Sequence, residues 1–178
     1  MRAQAGLTLI ELLVAVAIAG ALFGVAVPAF SGGLEAARAG EARGALLESL
    51  MTASNHAAIA GVRGVLCPSR DGLVCEDTAD WSQGWIVFLD PNASRELEGG
   101  ERVLRVQPAL PGQVRLRTTV GRTRIVFQGN GGNAGSNATF TLCDGRGPAK
   151  GRALIMANAG TLRDGVATQA NLDATCPR

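Results

Sequence analysis

Ala5-Gly6-Leu7-Thr8-Leu9-Ile10-Glu11-Leu12-Leu13 joins a short leader to an apolar run that carries a single acid. From Leu7 through Phe30 the only ionisable side chain is Glu11. Leu7–Val27 is 21 residues, which as a helix spans roughly 30 Å, the thickness of a bilayer's hydrocarbon core. A carboxylate near the end of such a helix is costly in lipid and marks a functional pairing. Arg2, ahead of the run, favours a cytoplasmic amino terminus. An ordinary signal anchor is one plain reading of the stretch. A cleaved secretory signal is another, but it has a shorter apolar region ending in a small-residue site and does not carry an acid such as Glu11.

The constellation resembles the type IV prepilins. Gly6 followed by Leu7-Thr8-Leu9-Ile10-Glu11-Leu12-Leu13 matches that family's processing and assembly motif, with Leu7 where phenylalanine is usual. The resemblance implies that a prepilin peptidase cuts after Gly6 and methylates the new amino terminus on Leu7. It implies a single-pass protein of the bacterial inner membrane whose globular part is periplasmic, or extracellular in an assembled pilus. Glu11 then pairs with the terminal amine of a neighbouring pilin or pseudopilin, which explains a charge inside an apolar helix bundle. The expected organisation is a leader over 1–6, a transmembrane and assembly helix over 7–28, its amphipathic continuation over 29–62, and a β-rich globular domain over 63–178. Gly20, Gly24 and Pro28 weaken the helix at intervals, and the family resemblance implies local melting there in the filament.

Beyond Pro28 the apolar positions Leu34, Ala37, Leu46, Leu47, Leu50, Met51, Ser54, Ala57 and Ala58 fall mostly three and four apart, predicting one helical stripe that packs on the domain. Gly61 and Gly64 end the helix. The pattern then changes to short runs between turn residues, as in an antiparallel sheet. Expected strands are 64–67, 84–89, 102–107, 113–118, 124–128, 139–142 and 153–158. The glycine- and asparagine-rich stretch Gln128–Asn137 reads as a flexible loop. The fold class is therefore α+β: a long amino-terminal helix on an antiparallel sheet, the type IV pilin fold.

Four cysteines in a domain outside the inner membrane read as two disulfides, and three pairings are possible. Cys67 and Cys75 flank a short loop and are natural partners, which leaves Cys143 to tie down Cys176 near the end of the chain. Zinc is the competing reading, against which stand the absence of a C-x-x-C pair and the single histidine, His56.

The globular half carries a second resemblance. Leu66-Cys67-Pro68-Ser69, Asp80-Trp81-Ser82-Gln83-Gly84-Trp85-Ile86-Val87-Phe88, Gly100-Glu101-Arg102-Val103-Leu104-Arg105 and Phe140-Thr141-Leu142-Cys143-Asp144 are similar to the GspH/FimT family of minor pilins and pseudopilins. Trp81 and Trp85 are expected to anchor sheet to helix, since large aromatics supply much of the burial in a small domain. The family implies two settings. One is a type IV pilus, including minor pilins that bind DNA during natural transformation. The other is the type II secretion pseudopilus, where pseudopilin H serves protein export.

Charge is the discriminator the chain offers. Residues 1–101 hold six arginines and twelve acids, a balance of −6; residues 102–178 hold eleven basic residues and three acids, a balance of +8. A basic half on an extracytoplasmic domain is the footprint of a polyanion, and the pilus branch of the resembled family implies double-stranded DNA as that partner. Arg115, Arg117, Arg122 and Arg124 are the main candidates, crowded on one surface if their strands form a hairpin around Thr119–Gly121. Arg146, Lys150 and Arg152 form a second cluster. DNA-binding members of the resembled family end in Gly-Arg-x-Arg. Here Gly160-Thr161-Leu162-Arg163 keeps the glycine and the second arginine, with Asp164 diluting the charge, so Arg163 is the residue that motif supports. The plain alternative is that these charges solvate a surface or face the acidic half of a neighbouring subunit.

Asp90–Glu101 places oxygen side chains at loop positions 1, 3, 5, 7, 9 and 12, as in a calcium loop, but Arg95 occupies the sixth position where glycine makes the turn. A polar connection between strands accounts for the same residues. No nucleophile, base or phosphate-loop pattern points to an enzyme or to a cofactor.

Overall fold

The computed structural model describes residues 8–133, 135–158 and 161–176. Helix α1 runs from Leu9 to Ala60. Its first turn is closed by a capping box. The Glu11 carboxylate accepts both the amide and the hydroxyl of Thr8, each at 2.9 Å, and Thr8 Oγ1 accepts the Glu11 amide at 3.4 Å. Gly20, Gly24 and Pro28 do not break the helix, although proline has no N–H for the carbonyl four residues back.

The chain divides after Leu34 into two compact units. In the first, every large apolar side chain from Leu9 to Phe30 is exposed, Phe23 by 68 % and Phe30 by 77 %. An 18-residue window of this apolar helix has a mean hydropathy of 2.5, and the helix is long and apolar enough to cross a membrane.

In the second unit α1 buries Ala39, Ala42, Leu46, Ser49, Leu50, Ala53 and Ala57, spaced as one helical face. The expected stripe is right at Leu46, Leu50 and Ala57, whereas Ala37, Met51 and Ala58 point outward. Alanines replace them because the helix lies close against backbone. A Cβ added at Gly64 would meet the Ala53 carbonyl oxygen at 2.6 Å. A period weighted by side-chain bulk misses a face chosen for smallness. Gly61, at φ +67°, ends the helix in the left-handed conformation that glycine adopts without strain.

Eight strands follow: β1 Arg63–Pro68, β2 Trp85–Asp90, β3 Val103–Gln107, β4 Arg115–Thr118, β5 Ile125–Phe127, β6 Ala138–Cys143, β7 Arg152–Met156 and β8 Leu162–Gly165, then helix α2 Gln169–Thr175. They form two four-stranded antiparallel sheets rather than one, ordered β3-β2-β1-β5 and β4-β6-β7-β8. One core joins α1 to the inner faces of both, through Leu46, Leu50, Trp81, Trp85, Phe127 and Phe140. Trp85 Nε1 donates to Ser49 Oγ of the helix at 2.9 Å. The Trp81 ring meets Phe140 edge-on at 5.4 Å, so the tryptophan pair links the helix with both sheets.

The outer faces differ. On the first sheet Val65, Cys67, Ile86, Phe88 and Val126 form a second apolar cluster roofed by Cys75 and Leu97 from the flanking loops. On the second, alternation turns Arg115, Arg117, Thr139, Thr141, Ile155 and Arg163 outward. Helix α2 packs there, against β6 and β4. The disulfides are Cys67–Cys75, on the roof of the first sheet, and Cys143–Cys176, which ties α2 to β6. The described residues of Gln128–Asn137 have no helix or strand, and the segment is moored to α1 by Ser54 Oγ donating to the Gly131 carbonyl at 2.7 Å. Within it Asn133 and Ser136 are buried.

Candidate functional site: an apolar helix and an open sheet face

Gly6 and Leu7 lie outside the described residues, as does Gly160. Glu11 stands on a helix turn whose neighbours Ile10, Leu12 and Leu13 are all more than half exposed. Among the described residues its carboxylate is held by Thr8 alone, within one turn of its own chain. The acid is thus sheltered by a local bond in an environment with no other polar side chain nearby in sequence.

The expected arginine hairpin does not form. β4 pairs with β6 in the second sheet and β5 with β1 in the first, so the segment between them crosses from one sheet to the other. Arg115 and Arg117 do share a face, opposite Cys143 and Thr141. Arg115 donates to the Val114 carbonyl at 3.0 Å. Arg122 is half-buried and donates to the Gly135 carbonyl at 2.9 Å and to Asn137 Oδ1 at 3.1 Å. Arg124, 11 % exposed, is a clamp. It pairs with Asp77 at 2.9 Å and Glu96 at 2.6 Å, and also donates to the carbonyls of Glu76 and Arg95.

Arg163 is exposed on β8 opposite Ile155, which in turn stands opposite Thr139. Its neighbour Asp164 does not dilute that charge. Successive strand residues face opposite ways, and Asp164 turns toward α1, where Arg43 pairs with it at 2.9 Å. Among the described residues no acid pairs with Arg117 or Arg163. In the second cluster Arg146 is spent on the buried Asp144, at 2.7 Å, while Lys150 and Arg152 are exposed. The hydrogen bonds from Arg146 hold the Asp144 carboxyl below the usual carboxylate range, against the opposing effect of burial.

The calcium-like loop is closed by its own hydrogen bonds. Both oxygens of the buried Asp90 accept backbone amides, of Ser94 at 3.0 Å and Arg95 at 3.1 Å. Glu98 accepts Asn92 Nδ2, and Glu101 accepts the Glu98 amide. Among the described residues no three His, Cys, Asp or Glu side chains are gathered as for a metal ion. Arg95, the residue that departs from the calcium pattern, adopts φ +66°. Sequence reasoning did not pick it as a site residue, and its place at a glycine position was the available signal.

A membrane-length helix with one acid, leading into a compact head of two antiparallel sheets, defines a type IV pilin-like protein. The family model described as Type II transport protein GspH matches residues 42–160, and the model of the prokaryotic N-terminal methylation motif matches residues 1–27. The chain belongs to the GspH family. Two crystal structures of the type IV minor pilin FimU of Pseudomonas aeruginosa (strain PAO1) are similar in fold. One has a TM-score of 0.55 at 17 % identity, covering 83 % of this chain and 96 % of that one. The other has a TM-score of 0.52 at 18 % identity, covering 80 % and 96 %. A comparison with curated proteins finds none that matches.

Proposed function

We propose that the chain is a non-enzymatic minor pilin or pseudopilin. It is held in the inner membrane by Leu7–Val27, processed after Gly6 by a prepilin peptidase, and built into a filament through that helix and Glu11. The observation that carries this is the stretch from Leu9 to Phe30, whose large apolar side chains are all exposed among the described residues. Such a surface requires lipid or neighbouring helices. In a filament, Glu11 exchanges its local bond with Thr8 for the amine of the next subunit. Glu11→Ala is expected to leave membrane insertion intact and to remove the protein from assembled filaments, measured by fractionation of the producing cells. Undiminished assembly of that variant overturns the proposal.

The exposed head then meets the partner. The pilus setting, with double-stranded DNA as partner, is supported by the open face of the second sheet, where Arg163 is exposed and Arg117, with Asp80 opposite it across a β-bridge, makes no ion pair among the described residues. Phosphate contact needs little beyond such a basic surface. The secretion setting is the second reading, favoured by the description of the matching family as a type II transport protein. A deletion strain that loses natural transformation but keeps secretion supports the first setting; the reverse phenotype supports the second.

A further inference from the structure

The open face continues past the end of the second sheet as a groove. Two polar depressions, of about 350 and 230 Å³, share Arg122 as a common wall. The first is lined by Arg122, Asn137, Thr139 and Ile155, the last two on the sheet face that carries Arg163. The second is lined by Arg95, Arg122, Arg124 and Ser136. Among the described residues neither depression is lined by an aspartate, a glutamate or an aromatic ring. The acids that pair with Arg124, Asp77 and Glu96, are not in the lining, although Asp77 also accepts from Thr123 of the lining and Glu96 adjoins Arg95.

The far end of this groove is built rather than incidental. The Arg95 amide is held by the buried Asp90 at 3.1 Å, and its carbonyl by Arg124 Nε at 3.2 Å. Both sides of the peptide are fixed, which sustains a left-handed conformation that a non-glycine residue otherwise avoids. Arg124 and Asp90 thereby set the Arg95 side chain, itself exposed and in no ion pair among the described residues, at the edge of the second depression.

We propose that this groove is a phosphodiester track for duplex DNA, running from Arg163 past Arg122 to Arg95, and that it reads the backbone and not the bases. The proposal rests on the DNA reading above and specifies its site. Arg95, Arg122 and Arg163 make no ion pair among the described residues and so can attract phosphates, whereas Arg124 is neutralised by Asp77 and Glu96 and only shapes the wall; hydroxyl and amide side chains between them donate to phosphate oxygens. Single-strand recognition relies on aromatic platforms for the bases, and none lines this groove. Binding is therefore independent of sequence and steep in salt.

The test uses the full chain in nanodiscs of zwitterionic lipid, titrated with a labelled short duplex of random sequence at several salt concentrations. Arg95→Asn removes a charge with a residue that tolerates positive φ, and Arg122→Gln removes the shared wall. Because Arg122 also bonds the neighbouring loop, the Arg95 variant is the cleaner arm. Each is expected to lower the slope of log K against log salt by about 0.9, the share of one phosphate contact. Arg95→Asn and Arg122→Gln binding as the unaltered chain does, while Arg117→Gln and Arg163→Gln weaken it, overturns the groove and leaves the DNA reading standing. Tighter binding of the corresponding single strand overturns backbone reading of a duplex. No binding by the unaltered chain at low salt overturns both.

Discussion

The two sheets have equal strand numbers and share one core, yet their outer faces are treated in opposite ways. The first is roofed. Cys75 and Leu97 descend from acidic loops onto Ile86, Phe88 and Val126, and strands β1 and β2 are buried on both sides. The second keeps an open face of threonine, isoleucine and arginine, covered at one end by a seven-residue helix. A sheet buried on both sides is committed to stability, whereas a sheet open on one side has a surface to offer. The charge division of the chain follows this difference. Acids are concentrated in the roof loops, which also hold Arg70 and Arg95, while Arg115, Arg117 and Arg163 stand on the open face, so a whole-chain charge of +2 conceals two unlike surfaces.

The contrast breaks most clearly in the apolar side chains. Phe88→Ala, beneath the roof, is expected to cost about 3–5 kcal/mol, against about 1 kcal/mol for Ile155→Ala on the open face. Denaturant unfolding of the two variants measures this, and equal losses would mean that the faces are equivalent. Next come the disulfides. Removing Cys143–Cys176, which spans 33 residues, is expected to cost about 3–4 kcal/mol, and removing Cys67–Cys75, which spans 8, about 2–3 kcal/mol. Paired serine variants compared by thermal unfolding check the order.

Asp144, next to the second sheet's tether, gives a pH signature. Its native carboxyl titrates below the ordinary range because Arg146 donates to it. The bond therefore stabilises the fold above the unfolded value near pH 4, and that contribution disappears as pH falls through the lower native value. Asp144→Asn is expected to cost about 2 kcal/mol at neutral pH. It should also show a shallower loss of melting temperature in acid than the unaltered chain. A parallel acid limb in both proteins would deny Asp144 this role.

The smallest contrast lies among the arginines. Arg124→Gln strips a clamp that spans two acids and three carbonyls, and is expected to cost about 1–2 kcal/mol, since both acids are well exposed. Arg163→Gln is expected to stay within about 0.5 kcal/mol of the unaltered chain. A stability loss at Arg163 equal to that at Arg124 would make it a structural arginine as well.

These pairs also mark what the residues disclose unaided. The apolar anchor with Glu11, the tryptophan pair and most strands are legible because each is written locally, in hydropathy, alternation and turn residues. β8 is not. Leu162-Arg163-Asp164-Gly165 holds one large apolar residue, and its extended form comes from hydrogen bonds to β7. α2 is equally silent, being seven residues fixed by the Thr168 cap and the Cys176 bridge. The division into two sheets depends on which strands pair, a choice made by the shared core and not by any strand alone. That choice separated Arg115 and Arg117 from Arg122 and Arg124. The calcium-like loop was visible, but its meaning lay in Arg95, whose conformation only the fold displays.

The most direct test of the account is the amino terminus of the protein recovered from membranes of cells with and without a prepilin peptidase, read by mass spectrometry. A chain beginning at Leu7, methylated on its amine and present only when the peptidase is active, is the predicted result. A chain that keeps Met1–Gly6 in the presence of the peptidase, or one cut elsewhere, would contradict it.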